Sequence, residues 1–359
     1  MKKLFFSLLA VFFLFTEVKA QLDEAVNKPV ETFDALWELF YNKYASFEEK
    51  NIDWDSIGQV YRPKVNPNTS NAELFHIFCE MLRPLNDAHV NLIVSKADTT
   101  FDAERASRLV EDLKPIRGNI RASFDEMVKT TLQQNGIKEI KTLGKEFYGF
   151  PLFWYGDNGK LGYLRVGRCF SSILIKNGWS SNKKLNTIFK SFADLDAIVI
   201  DIRLNPGGTD GFSKKVVGRL TDRKVIGYHK QTRANREFGP LNTHYIKPKG
   251  KHKFLKPVYL LTNDKSISAA DVMALMMAEL DNVTIIGENS NGSYSDIYSK
   301  KLPNKWTINL SNQRYLTTDN ENYEGIGTPV NVEVKNKLEN YVNKDDKVLN
   351  KAFELIRKK

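Results

Sequence analysis

Cysteine is almost missing. Cys79 and Cys169 are the only two in 359 residues, too few for a disulfide-stapled scaffold. A single bridge between them stays open on sequence grounds, but each sits beside an apolar neighbour, Phe78 or Phe170, and buried free thiols are expected. No His/Cys/Asp group has zinc-ligand spacing, and neither a Walker loop nor a dinucleotide fingerprint occurs. No metal and no cofactor is therefore expected. After the N-terminus no apolar run approaches the ~18 residues of a membrane span. Hydrophobic residues make up 42% and charged residues 27%, which excludes extended disorder and collagen-like repeats. The net charge is +10, with no Lys/Arg run that would concentrate it. Nucleic acid is not an expected partner.

The first 20 residues read as an export signal. Met1-Lys2-Lys3 precedes the apolar run Leu4 to Phe15, and Val18-Lys19-Ala20-Gln21 offers a small-residue cleavage site. The apolar run is too short to cross ~30 Å of hydrocarbon. Cleavage is expected after Ala20, giving an exported chain, periplasmic or extracellular, of charge +8 and without a stable membrane anchor. Its oligomeric state is not readable. About 339 residues then remain, a length suited to about two domains.

Phe33, Leu36, Trp37, Phe40 and Tyr44 form the apolar stripe of an amphipathic helix. The turn cluster Asn66 to Asn71 leads into a second helix, Ala72 to Leu85, with Leu74, Phe75, Phe78 and Leu82 on its inner face. Residues 21–98 are expected to form an N-terminal helical subdomain, and 99–160 a cap or linker with one helix near Phe124 to Gln134. From Leu161 to 335 strands and helices alternate: Leu161 to Val166, a helix through Leu185 and Phe192, the buried-type strand Ala197 to Arg203, a helix near Gly211 to Leu220, strand Val258 to Leu261, helix Ala269 to Leu280, and strand Val283 to Ile286. The fold class expected is α/β, a mixed sheet with layered helices, followed by a C-terminal helical tail at 336–359. In such sheets function gathers beyond the carboxyl ends of the strands.

Two loops stand at those ends. Leu204-Asn205-Pro206-Gly207-Gly208 follows the strand ending at Arg203, and its glycine pair can expose backbone N–H groups as an anion or oxyanion site needs; a plain tight turn explains the glycines equally well. Thr262 to Asp271 follows the next strand and places Ser268 at the start of a helix. Ser268 and Asp271 can be an ordinary capping box, or Ser268 can be a nucleophile on a strand-to-helix turn.

Taken together, Asp201-Ile202-Arg203-Leu204-Asn205-Pro206-Gly207-Gly208, Ser266-Ile267-Ser268-Ala269-Ala270-Asp271 and Ile285-Ile286-Gly287-Glu288 resemble the core of the tail-specific, or C-terminal processing, serine peptidases and their tricorn-core relatives, with a ClpP/crotonase-type core. Asp53-Trp54-Asp55, Leu85-Asn86-Asp87-Ala88-His89 and Glu324-Gly325-Ile326-Gly327-Thr328-Pro329 resemble further motifs of the tricorn-like branch. The resemblance implies a serine-type peptidase acting on protein or peptide substrates. It implies Ser268 as nucleophile, Ala269, Gly207 and Gly208 as the oxyanion hole, His89 as general base and Glu324 as a supporting acid. Imidazole chemistry suits that base role at neutral pH.

The chain also departs from the family pattern. The processing branch carries a lysine base 25 residues after the nucleophile, where Ser293 stands here, so a Ser–Lys dyad would need Lys300 or Lys301. The serine that precedes the histidine in the tricorn-like branch is Ala88. Residues 99–160 lack a glycine-rich carboxylate loop, and no PDZ module is expected. A binding protein on the same fold, or another acyl hydrolase, is the alternative to a peptidase.

Overall fold

A computed structural model describes residues 27–95, 98–104, 106–116, 119–147, 149–170 and 181–358. The expected signal peptide lies outside them. The chain is mixed α/β and divides into two units. Among the described residues no helix is long and apolar enough to cross a membrane. Cys79 and Cys169 are free and buried.

The first unit comprises residues up to Arg105 together with Gln231–Pro240 and Ser295–Arg314. Helices Pro29–Lys43, Trp54–Tyr61 and Asn71–Leu82 follow the apolar periodicity of the sequence. Ser70 and Glu73 close a reciprocal capping box at the start of the third, satisfying backbone donors that a helix end leaves open. These helices are not a purely helical subdomain. Phe33, Leu36, Phe40 and Phe78 pack with Leu92, Ile308 and Leu310 of a four-stranded antiparallel sheet, ordered 297–301, 307–311, 91–94 and 99–102. The contiguous boundary expected at residue 98 therefore gives way to a unit that borrows two strands from far along the chain, because the helices' inner faces need an apolar partner.

The second unit holds Ala106–Lys230, Leu241–Tyr294 and Tyr315–Lys359. Its seven-stranded sheet runs 332–333, 283–287, 258–262, 197–201, 161–166, 153–157 and 141–143. The first five strands are parallel to their neighbours and the last two antiparallel. Alternation along strand Ala197–Asp201 decides the layers. Ile198 and Ile200 face helices Ser181–Ser191, Asp210–Val217 and Ala269–Ala278. Ala197 and Val199 face helices Ile120–Gln134 and Lys347–Arg357. A sheet buried on both faces explains the continuous apolar strands.

Of residues 99–160, expected as a cap or linker, Thr99–Asp102 is instead a strand of the first unit's sheet, while the second unit takes from them helix Ile120–Gln134 and the two antiparallel strands Phe153–Asp157 and Lys141–Leu143 at one side of its sheet. The 336–359 tail, likewise, is core: Leu349 and Phe353 are fully buried under the sheet. Both segments are amphipathic, so their polar faces diluted a core signal that lies on one side only.

Candidate active site

Strands Ala197–Asp201 and Val258–Thr262 end side by side, and the two loops beyond them lie against each other. Ile267 donates its backbone N–H to the Asn205 carbonyl at 3.0 Å. Asn205 is the organiser of the first loop: its side chain donates to the Val166 carbonyl at 2.8 Å and accepts from the Gly207 N–H at 2.9 Å. Gly207 has φ 87°, and a Cβ there would stand 2.6 Å from Ser268 Cβ and 2.6 Å from the Ile267 carbonyl oxygen. Only glycine permits both the backbone conformation and this approach.

Ser268 caps helix Ala269–Ala278 with φ 61° and ψ −121°, a region that a residue with a Cβ enters only when its surroundings hold it there. Asp271 supplies part of that hold. Its carboxylate accepts the Ser268 N–H at 2.8 Å, the Gly292 N–H at 2.7 Å and the Ser293 N–H at 3.2 Å. Burial raises the Asp271 carboxyl to about 6, opposed by the N–H groups of Gly292, Ser293 and Ser268 and by Ser290.

Of the three groups expected as an oxyanion hole, the Gly207 N–H is committed to Asn205. Among the described residues, no acceptor takes the N–H of Gly208 or of Ala269. Ala269 is the first residue of its helix, whose N–H groups have no intrahelical partner and whose dipole favours negative charge. Ser213 fixes the next peptide along by donating its hydroxyl to the Ala269 carbonyl at 2.6 Å.

Glu324 is buried and accepts the Tyr294 N–H at 3.1 Å, while the Gly325 N–H donates to the Gly292 carbonyl at 2.7 Å. The turn 292–294 thus gives three successive N–H groups to two carboxylates, Asp271 and Glu324. Ser293 itself donates its hydroxyl to Asn291 Oδ1 at 2.7 Å.

His89 belongs to the first unit. It follows the left-handed Asn86, φ 46°, in a loop built on Asp87. The fully buried Asp87 carboxylate accepts from the His89 N–H at 2.9 Å, Tyr44 Oη at 2.9 Å and Ser311 Oγ at 3.2 Å, with Lys50 Nζ at 3.6 Å. Burial opposes ionisation of Asp87, yet Lys50, His89 and Tyr44 hold its carboxyl below the usual range. His89 is 5% exposed. Among the described residues no His/Cys/Asp/Glu group is arranged to hold a metal ion.

The family model for peptidase family S41 matches residues 160–334, and that for the tricorn protease C1 domain matches residues 26–83. The carboxy-terminal processing protease CtpA of Bacillus subtilis is 29% identical over 139 residues, 38% of this chain and 28% of the relative. The carboxy-terminal-processing protease of Bartonella bacilliformis is 26% identical over 192 residues, 51% of this chain and 41% of the relative. The chain therefore spans less than half the length of either relative. A crystal structure from Parabacteroides merdae shares the fold, with a TM-score of 0.75 at 24% identity over 92% of this chain and 97% of that one.

Proposed function

We propose, on the premise that residues 160–334 belong to peptidase family S41, that this protein is an exported serine peptidase that hydrolyses peptide bonds in proteins or peptides. The observation that carries the reading is Ser268, held at positive φ on a strand-to-helix turn with Gly207 pressed against it and two open N–H groups beside it. An ordinary helix cap needs neither the backbone conformation nor the glycine approach.

In the proposed reaction Ser268 Oγ attacks the scissile carbonyl carbon while His89 takes the hydroxyl proton. The carbonyl oxygen becomes an oxyanion, held by the Gly208 and Ala269 N–H groups. Collapse breaks the C–N bond, and His89 returns its proton to the leaving amine. Water then attacks the acyl-enzyme by the same route and frees Ser268. Glu324 supports the site through the 292–294 turn. The His89 and Glu324 roles rest on the motif resemblance.

Labelling with a serine-directed fluorophosphonate tests the nucleophile. The wild-type protein is expected to label and to hydrolyse a casein or peptide substrate; Ser268→Ala is expected to lose the label and as much as ~10⁶ in kcat with its fold retained. Turnover by Ser268→Ala at the wild-type rate overturns the assignment.

A further inference from the structure

The N-cap of the last helix is bonded to the residue that opens the Leu204–Gly208 loop. Arg203 immediately precedes that loop and is buried between two fully buried carboxylates, Asp201 and Asp346. Its Nε and Nη2 donate to the two oxygens of Asp201 at 3.0 and 2.6 Å, and its Nη1 and Nη2 donate to the two oxygens of Asp346 at 2.9 and 2.8 Å. Paired planar contacts of this kind fix a guanidinium in orientation as well as in place.

Asp201 is local, two residues before Arg203 on the same strand end, whereas Asp346 arrives 143 positions later. It is itself firmly set. Its N–H donates to Thr131 Oγ1 at 2.9 Å, and its Oδ1 accepts from the Leu349 N–H at 3.1 Å and from Asn336 Nδ2 at 2.8 Å. Burial opposes ionisation of Asp346, yet Arg203 and Asn336 hold its carboxyl below the usual range. A helix cap needs one acceptor oxygen and no charge. A second buried carboxylate beside Asp201 adds a desolvation cost that an uncharged cap avoids, so its use lies in what the clamp on Arg203 holds.

The next residue supplies that use. Leu204 has φ 58°, a left-handed conformation that a side chain with a Cβ keeps only where its surroundings enforce it. Its N–H reaches Asn263 Oδ1 at 3.3 Å, near the outer limit of a hydrogen bond. From Leu204 the chain turns into Asn205, whose side chain accepts the Gly207 N–H, and then to the open N–H of Gly208.

We propose that Asp346 is a positioning residue for the reaction described above: by clamping Arg203 it holds the left-handed turn at Leu204, and with it the Gly208 N–H, where the oxyanion forms. The inference rests on the peptidase reading for the reaction it serves. Asp346 touches no reacting atom and acts through Arg203 alone.

The test compares two full-length variants on the last helix. Asp346→Asn keeps an acceptor for the cap but sets an NH₂ group against the guanidinium, while Phe353→Leu loosens the buried packing of the same helix and leaves the clamp intact. Both are measured where near-UV circular dichroism shows them folded, by steady-state kinetics on a peptide substrate and by hydrogen exchange of the 201–208 segment. Asp346→Asn is expected to lower kcat about tenfold, within the ~10²-fold that small misplacements can cost, with KM little changed and exchange at 201–208 quickened. Phe353→Leu is expected to lower the urea midpoint and change neither readout. Should Asp346→Asn fail to fold, Arg203→Lys carries the same expectations, since it keeps the charge and loses the paired contacts. A wild-type kcat in the clamp variant overturns the proposal whatever its exchange shows, and so does a kcat loss in Phe353→Leu as large as that in the clamp variant, which would assign Asp346 to stability only. If the wild-type protein neither labels with fluorophosphonate nor hydrolyses peptide, the peptidase reading fails, and the exchange comparison alone decides whether Asp346 holds the loop.

Discussion

Ser268 and Ser293 donate their backbone N–H groups to one and the same oxygen, Asp271 Oδ2, at 2.8 and 3.2 Å. The candidate nucleophile and the turn that leads to Glu324 are thereby tied to a single buried carboxylate. Asp271→Asn replaces one acceptor oxygen by an NH₂ group that faces N–H donors. The turn at Ser268 should relax, and because small misplacements of a reacting group cost up to ~10²-fold, kcat is expected to fall about 10- to 100-fold with KM little changed. Steady-state kinetics on a peptide substrate checks this. A kcat within twofold of wild type would show that Ser268 is positioned without Asp271.

The same carboxyl makes a stability prediction of opposite sense. Burial lifts it from the ordinary 3.8 to about 6, so the folded state favours the neutral form. Its contribution to stability is fully present below the ordinary carboxylate pKa and is lost as pH rises through about 6. At pH 7.5 the ionised form costs on the order of 3 kcal/mol relative to pH 4. Urea unfolding should therefore show that Asp271→Asn removes part of the wild-type decline in stability between pH 5 and 7.5, while activity is impaired. An unchanged pH slope in the variant would place the titration elsewhere.

Gly207→Ala separates close approach from simple turn formation. The new methyl would meet Ser268 Cβ and the Ile267 carbonyl oxygen, both at 2.6 Å, on a backbone with φ 87°. Contacts that short force the two loops apart, and the left-handed conformation adds a further ~1 kcal/mol. The expected result is a loss of at least ~2 kcal/mol in chemical unfolding, accompanied by loss of fluorophosphonate labelling. A variant of wild-type stability and labelling would mean that the loops have slack which the wild-type packing does not suggest.

The parts of the second unit nearest Ser268 were the most legible in the sequence. Strand Ala197–Asp201 is an unbroken apolar run because both its faces are covered, and the motifs after it and around Ser268 sit in consecutive residues. What escaped is what depends on distant backbone donors. Asp271 reads locally as a cap, and nothing in the residues around it announces that Gly292 and Ser293, some twenty positions away, donate to the same group. Asn205 escaped for a related reason: its side chain bonds the Val166 carbonyl 39 residues back, a partner with no side-chain signature. Strand Thr307–Ser311 alternates buried Ile308 and Leu310 with partly exposed residues, but its membership of the first unit is a matter of pairing with Asn91–Val94, which sequence order conceals.

Asp87 yields the last prediction, in the first unit. Tyr44, Ser311 and the His89 N–H all donate to its carboxylate, and Lys50 stands 3.6 Å away. Since the folded-state pKa lies below the ordinary value despite burial, the stabilisation is present above that ordinary value and lost as pH falls through the folded one. Asp87→Ala removes the buried carboxylate that accepts from Tyr44, Ser311 and the His89 N–H and faces Lys50, a change expected to cost about 3 kcal/mol. Asp87→Asn keeps one acceptor oxygen and should fall between the two. Urea unfolding followed by near-UV circular dichroism measures the order, and hydrogen exchange of the His89 amide should quicken in the same order. If His89 exchange is unchanged while stability drops, Asp87 supports the unit without holding the histidine loop, and the loop must owe its shape to the left-handed Asn86 alone.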